Sequence, residues 1–221
     1  MSYTGEVTPE GPADVRELPG LVIRKTSVGS MDNNTYLLTD RGTGAQLLID
    51  AADNADRLLG YVHEGSPDGR LDGIVTTHQH WDHHRALAAV VAATTPWTAA
   101  GRDDAAALPV APDQQLADGD TVTFGGVQLR AIHLVGHTPG SVALLYEDPQ
   151  GHGHLFTGDS LFPGGPGRTT NPTDFSSLMD DLEGKVFGEL SDDTWVYPGH
   201  GDDTTLGAER PQLAEWRARG W

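Results

Sequence analysis

The sequence predicts an α/β fold made of two similar halves, each a sheet backed by helices. Short runs rich in Val, Ile, Leu and Thr recur along the chain with helical patterns between them. The order strands, helix, strand, helix occurs twice. The residues able to do chemistry fall where strand-like runs end, the place where loops hold polar groups above a rigid scaffold. With 221 residues the chain suits one domain or two closely joined halves, and it is long enough to bury a core without covalent staples.

Residues 1–20, with several prolines and glycines and few large apolar side chains, read as a loose tail or a wrapping arm. Strand-like runs follow at 21–28, 35–40 and 45–50. Asp53 to His63 reads as a helix, broken by the glycines at 65 and 69. Residues 71–84 read as a strand ending in a His-rich loop, and Arg85 to Ala93 as an Ala/Val/Leu helix. A short strand is expected at 96–100 and a short helix at 103–108. Strand-like runs resume at 121–135, 141–148 and 154–162, with glycines between them. Thr173 to Phe187 reads as a helix with a Thr at its N-cap. Residues 194–200 read as a strand running into a loop, and Leu206 to Arg219 as a closing helix. The domain proper is therefore expected over 21–221, with no short-period repeat.

Composition excludes several functions. There are 14 Lys+Arg against 32 Asp+Glu, a net charge of -18, and such a field repels phosphate backbones. A nucleic-acid partner is not expected; a small-molecule substrate is, since one local Arg can override the global field. The chain has no cysteine, which removes disulfides, thiolate ligands and a Cys nucleophile. No stretch has the roughly 18 apolar residues of a membrane span. No signal peptide is read at the N-terminus, so a cytoplasmic protein is expected. The oligomeric state is left open.

The segment H-Q-H-W-D-H-H (78–84) packs five metal-capable side chains into seven residues. In an extended loop His78 and His80 share one side, while Asp82 and His83 turn the other way as a helix begins, so the segment can serve two adjacent cations. Three further pieces follow strand-like runs: G-H-T-P-G with His137, F-T-G-D-S with Asp159, and Y-P-G-H-G with His200. Each ligand candidate has Gly beside it or one residue away. A lone His near Gly is usually a surface loop residue, but the full ordered set points to a metal centre. Neutral imidazole and carboxylate suit zinc, iron or manganese.

At these motifs the chain resembles the metallo-β-lactamase superfamily, over nearly all of residues 21–210. The resemblance implies a four-layer αββα sandwich. It also implies two divalent metal ions, zinc first and iron or manganese as alternatives. His78, His80 and His137 match the ligands of one metal, Asp82, His83 and His200 those of the other, and Asp159 the bridging carboxylate. Asp50 matches a buried acid that orients a ligand imidazole. The runs at 156–162, 164–169 and 198–210 are similar to the short glyoxalase II-like branch, whose members hydrolyse thioesters of small thiols. The helical C-terminal domain that helps glyoxalase II bind glutathione is expected to be missing, which leaves the thiol carrier open. Where the family has Gly after D-H-x-x, this chain has Ala86; His84 is read as a non-ligand facing solvent or the rim.

The chemistry this implies is hydrolysis by a hydroxide shared between two cations about 3.5–4 Å apart, with Asp82 holding its proton. Arg168 is the candidate for clamping a substrate anion. His133, four residues before His137, is a candidate support for the ligands, and Trp81 a candidate for the pocket mouth, with the remaining tryptophans in packing roles. Competing readings are a persulfide dioxygenase with one iron held by two His and an Asp, a β-lactamase, a lactonase with the same ligands, and a silent binding domain.

Overall fold

The structure, a computed structural model, describes residues 3–220. Trp221 and the first two residues of the expected arm lie outside the described residues. Seven strands form the first sheet in chain order: β1 (Asp14–Glu17), β2 (Leu21–Val28), β3 (Asn33–Asp40), β4 (Gln46–Ile49), β5 (Gly73–Thr76), β6 (Trp97–Gly101) and β7 (Gln114–Leu116). The pairing is antiparallel from β1 to β4 and parallel from β4 to β7. The second sheet starts with β8 (Thr121–Phe124), β9 (Val127–His133), β10 (Val142–Glu147) and β11 (Gly153–Gly158). A small hairpin follows, β12 (Leu161–Phe162) with β13 (Gly165–Pro166). Then β14 (Trp195–Pro198) adds parallel to β11, and β15 (Thr204–Thr205) closes that edge.

The sheets pack face to face because their strands are apolar on both sides. Successive residues on a strand point to opposite faces. In β3, Leu38 joins the cluster between the sheets with Leu47, Val75, Leu129, Leu144 and Phe156, whereas Leu37 faces outward. There it meets α1 (Ala55–Gly65) and α2 (Leu87–Thr94) through Leu58, Tyr61, Leu87 and Val90. On the far side Leu145, Leu155 and Val196 pack against α3 (Pro172–Asp181) and, beyond the short α4 (Leu206–Glu209), α5 (Leu213–Arg219). The result is the αββα order, helices outside and sheets within. Among the described residues no helix is long and apolar enough to cross a membrane.

Several elements depart from the sequence reading. Asp14–Glu17, inside the expected arm, is an edge strand paired with β2, and Pro9 bridges Ser27. The 103–108 segment is only a 3-10 turn at Ala105–Ala107, because Asp104 turns its carboxylate inward. The N-cap of α3 is Asn171, not Thr173: its Oδ1 accepts from the amides of Thr173 and Asp174, and Pro172 takes the first helical position. The expected helix to Phe187 ends in a π-helical turn over Leu182–Phe187. The closing helix is split by Pro211 into α4, a 3-10 turn and α5.

Candidate metal centre

The C-terminal ends of β4, β5, β9, β11 and β14 meet at one edge of the sandwich; the candidate ligands sit on the loops that leave the last four, and Asp50 follows β4. Asp50 ends β4 with φ of 60°, a left-handed conformation that Asp tolerates better than most residues. Its carboxylate accepts from the Thr77 amide at 2.7 Å, Thr77 Oγ1 at 2.8 Å and His83 Nδ1 at 2.8 Å. Because the Thr77 hydroxyl gives its hydrogen to Asp50, it can only accept from His78 Nδ1, 3.0 Å away. Both imidazoles thereby carry a hydrogen on Nδ1 and turn Nε2 toward the site. His137 Nδ1 donates to the Arg168 carbonyl at 2.7 Å and His200 Nδ1 to the Met31 carbonyl at 3.0 Å, so their Nε2 atoms face the same space.

Three overlapping groups result, each with ligand atoms within 4.8 Å of one another: His78, His80 and His137; His78, His83 and Asp159; Asp82, His83 and His200. Asp159 stands among them. Its Oδ1 is 3.4 Å from His83 Nε2, and its Oδ2 is 3.7 Å from Nε2 of both His137 and His200. Asp82 Oδ2 lies 3.4 Å from His200 Nε2 and 3.6 Å from His83 Nε2. The buried atoms His83 Nε2, His137 Nε2 and Asp159 Oδ1 have no hydrogen-bond partner, although buried polar atoms are nearly always satisfied. Gly199 leaves room for them. A Cβ there would collide with Asp159 Oδ1 and stand 2.7 Å from His83 Cε1.

Electrostatics agree with a cation-binding cradle. Burial depresses His78, and the surrounding imidazoles add to it, so it is neutral and able to ligate. Burial also lowers His137. For His83 burial acts in the same direction, but Asp50 and Asp159 outweigh it and raise the imidazole to about 10. Burial would raise Asp82 and Asp159, yet the hydrogen bond from Asn33 to Asp82 and the attraction of the nearby imidazoles, His83 foremost, hold both below the usual carboxylate range. Three carboxylates around one imidazole are an excess of negative charge that a metal dication would neutralise. The residues present therefore fit metal ions, as orphaned donors of imidazole and carboxylate type in a space kept open by glycine.

The structure places Arg168 beside the site through its carbonyl. Its side chain is exposed, and the guanidinium has no hydrogen-bond or ion-pair partner among the described residues. His133 Nε2 donates to the Pro139 carbonyl at 2.8 Å, in the loop that carries His137, and not to a candidate ligand. His84 corrects the sequence reading: it is 9% exposed, not on the surface, and its Nε2 donates to the Gln79 carbonyl at 3.0 Å, holding the His-rich loop closed. His154, buried at the other end of β11, bonds Tyr197 instead.

Two residues that sequence reading passed over matter here. Asn33 Nδ2 donates to Asp82 Oδ2 at 2.9 Å, and its backbone bridges His200. Asp104, fully buried, accepts from the Gln79 amide, Thr138 Oγ1 and the Gly140 amide, tying the loop of His78 and His80 to that of His137. The one signal was positional: Asn33 opens β3, and Asp104 directly precedes the 3-10 turn at Ala105–Ala107.

Known proteins give the same picture. The profile of the metallo-beta-lactamase superfamily matches residues 28–200. A hydroxyacylglutathione hydrolase of Rhodopseudomonas palustris (strain BisB18) is 35% identical over 172 residues, 76% of this chain and 62% of that protein. The chain thus spans less than two thirds of that relative's length. The crystal structure of ETHE1 from Myxococcus xanthus superposes with a TM-score of 0.75 at 31% identity, covering 87% of this chain and 84% of that one. TTHA1623 in a di-iron-bound form superposes with a TM-score of 0.69 at 31% identity, covering 84% and 96%. From the fold, the ligand groups and this profile, the chain belongs to the metallo-beta-lactamase superfamily.

Proposed function

We propose that the chain is a glyoxalase II-like thioesterase that hydrolyses a thioester of a small thiol at a two-metal centre. The observation that carries the two-metal reading is the position of Asp159, whose two oxygens face His83 on one side and His137 and His200 on the other. The thioester is supported by the likeness to hydroxyacylglutathione hydrolases. In this reading His78, His80 and His137 would hold one cation and Asp82, His83 and His200 the other, with Asp159 between the two groups. Divalent ions there, zinc first and iron or manganese as alternatives, would supply Lewis acidity, making water more acidic and an acyl carbonyl more electrophilic.

The chain's own residues do the rest. Asn33 aims Asp82 so that its carboxylate accepts a hydrogen bond from the attacking water and orients the lone pair at the acyl carbon. Asp50 and Thr77 keep His83 and His78 in the ligating tautomer. Arg168 grips a carboxylate of the substrate away from the reacting carbonyl. The thiolate leaves with little acid assistance. A nucleic-acid partner is disfavoured by the charge of -18.

The likeness to ETHE1 favours a second reading, a persulfide dioxygenase with a single iron. An anaerobic assay separates the two. Thiol release from S-lactoyl or S-acetyl thioesters under nitrogen is expected. Oxygen uptake with a persulfide, with one iron per chain and no thioester turnover, would overturn the thioesterase.

A further inference from the structure

Lys25 follows Leu21 and Ile23 on the inward face of β2 and is fully buried. Its ammonium gives its three hydrogens to the Gly5 carbonyl at 2.7 Å, the Gly201 carbonyl at 2.8 Å and Asp203 Oδ1 at 2.7 Å. The Asp203 side chain is 1% exposed, and its other oxygen accepts from the Tyr3 hydroxyl at 2.6 Å and Trp195 Nε1 at 2.9 Å. Such a pair is poor evidence for stability, because taking both charges out of water costs about as much as their attraction gains. What it fixes is position. Its partners lie mainly in two places, the arm ahead of β1 and the loop that carries His200.

The first sheet grips that loop from one side. Gly201, directly after His200, turns with φ of 71°, and its carbonyl takes a second donor, Asn34 Nδ2, at 2.9 Å. Asn34 Nδ2 and the Tyr36 hydroxyl also donate to the Pro198 carbonyl, and the Asn34 amide donates to the Gly199 carbonyl. The arm closes the other side. Gly5 lies at φ of 80°, and a Cβ there would stand 2.6 Å from Asp203 Oδ2, so glycine alone lets the arm pack this closely. Asp14 accepts from the Thr4 and Gly5 amides at 2.8 and 2.9 Å, which folds the arm back onto β1. The Arg16 guanidinium lies over both the Tyr3 and Trp195 rings, 4.3 and 3.8 Å from their centroids. Separate contacts from Asp14, Arg16 and the buried ion pair thus seat residues 3–5 against the base of the His200 loop.

We propose that residues 3–5 are a latch on the metal centre: through Lys25 and Asp203 they fix the Gly201 carbonyl, hold the backbone of His200 in place, and so set the metal affinity of the Asp82, His83 and His200 group. The Met31 carbonyl orients the His200 ring, and the latch sets the backbone from which it hangs. Gly5, Lys25 and Asp203 are positioning residues, since none bonds a candidate ligand atom among the described residues. His78, His80 and His137 hang from other loops and do not depend on the latch. This rests on the two-group reading of the centre and not on any substrate.

The test is an equilibrium zinc titration of the metal-free full chain, with His200→Ala marking the zinc that depends on His200. Gly5→Ala forces the arm off Asp203. In it the His200-dependent zinc is expected to bind about tenfold more weakly, the lower end of what a lost support behind a ligand gives, and the other zinc as in the parent. Lys25→Met combined with Asp203→Leu removes the ion pair without stranding a charge. It is expected to show the same split, with the melting temperature of the metal-free protein held; should it not fold, Gly5→Ala decides. A purely structural role would instead lower melting and weaken both zincs together. Unchanged affinity of the His200-dependent zinc in Gly5→Ala, or equal weakening of the two, overturns the latch and leaves the two-metal reading standing. If the parent binds a single zinc, the two-metal reading fails. The latch then stands only if that zinc is lost in His200→Ala and weakened in Gly5→Ala, and is otherwise overturned.

Discussion

Asp50 holds His83 from behind: its Oδ2 accepts from His83 Nδ1 at 2.8 Å, with the His83 side chain wholly buried and the Asp50 side chain 3% exposed. The same carboxylate takes both hydrogens of Thr77, so three donors converge on two oxygens. Asp50→Asn leaves the left-handed backbone tolerable, because Asn adopts it as readily as Asp. The amide nitrogen cannot accept, however, so at least one donor loses its partner or faces another donor. Metal affinity of the His83 group is expected to fall about 10- to 100-fold, the usual effect of losing a carboxylate behind a ligand imidazole. Equilibrium metal titration of the purified variant checks it. Two equivalents bound with parental affinity would show that Asp50 does not tune the centre.

Gly199→Ala tests the space between Asp159 and His83. The new Cβ collides with the Asp159 carboxylate and stands 2.7 Å from His83 Cε1 and 3.2 Å from the Gly158 carbonyl carbon, so two candidate ligands and a strand end must shift. Overpacking of this kind costs about 1–3 kcal/mol of stability. The expected outcome is a folded protein with a lowered melting temperature and less than one metal equivalent per chain by elemental analysis. An Ala variant with full metal content would mean that the loop moves freely and that the close approach is incidental.

The contrast between Leu37/Leu38 and Asp104 shows what a sequence can disclose. Paired leucines in β3 and β4, one per face, fit strands covered on both sides, while the αββα order is what the resemblance to the metallo-β-lactamase superfamily implies. The H-x-H-x-D-H segment and three glycine-flanked residues announce a metal centre because the donors are crowded or punctuated, and the fold brings all seven together. β1 and β7 stayed hidden, since edge strands pair through backbone groups and need no apolar alternation. Asp104 and Asn33 stayed hidden for a related reason. Each acts through single polar contacts to residues 25 to 49 positions away, which no local pattern encodes. His84 was misjudged because its burial depends on how the loop closes over its own Gln79 carbonyl, a tertiary event.

Arg168 offers the sharpest separation of binding from chemistry. Its carbonyl fixes His137, but its guanidinium is free among the described residues and exposed, so the side chain can be removed without unmaking a protein contact. Backbone hydrogen bonding to His137 survives any substitution other than proline-type distortion. If the guanidinium grips a carboxylate remote from the reacting carbonyl, the contact is equally strong in ground and transition states, and its loss raises KM more than it lowers kcat. For Arg168→Ala acting on a carboxylate-bearing thioester, an increase in KM of about tenfold is expected, equivalent to about 1.4 kcal/mol. The same substitution should leave KM for a neutral thioester of similar size within about twofold, and added salt should narrow the parent's preference for the anionic substrate. Steady-state kinetics on the two substrates at low and high ionic strength reads all three. An unchanged KM for the anionic thioester in a folded, fully metallated variant would return Arg168 to the single task of presenting its carbonyl to His137.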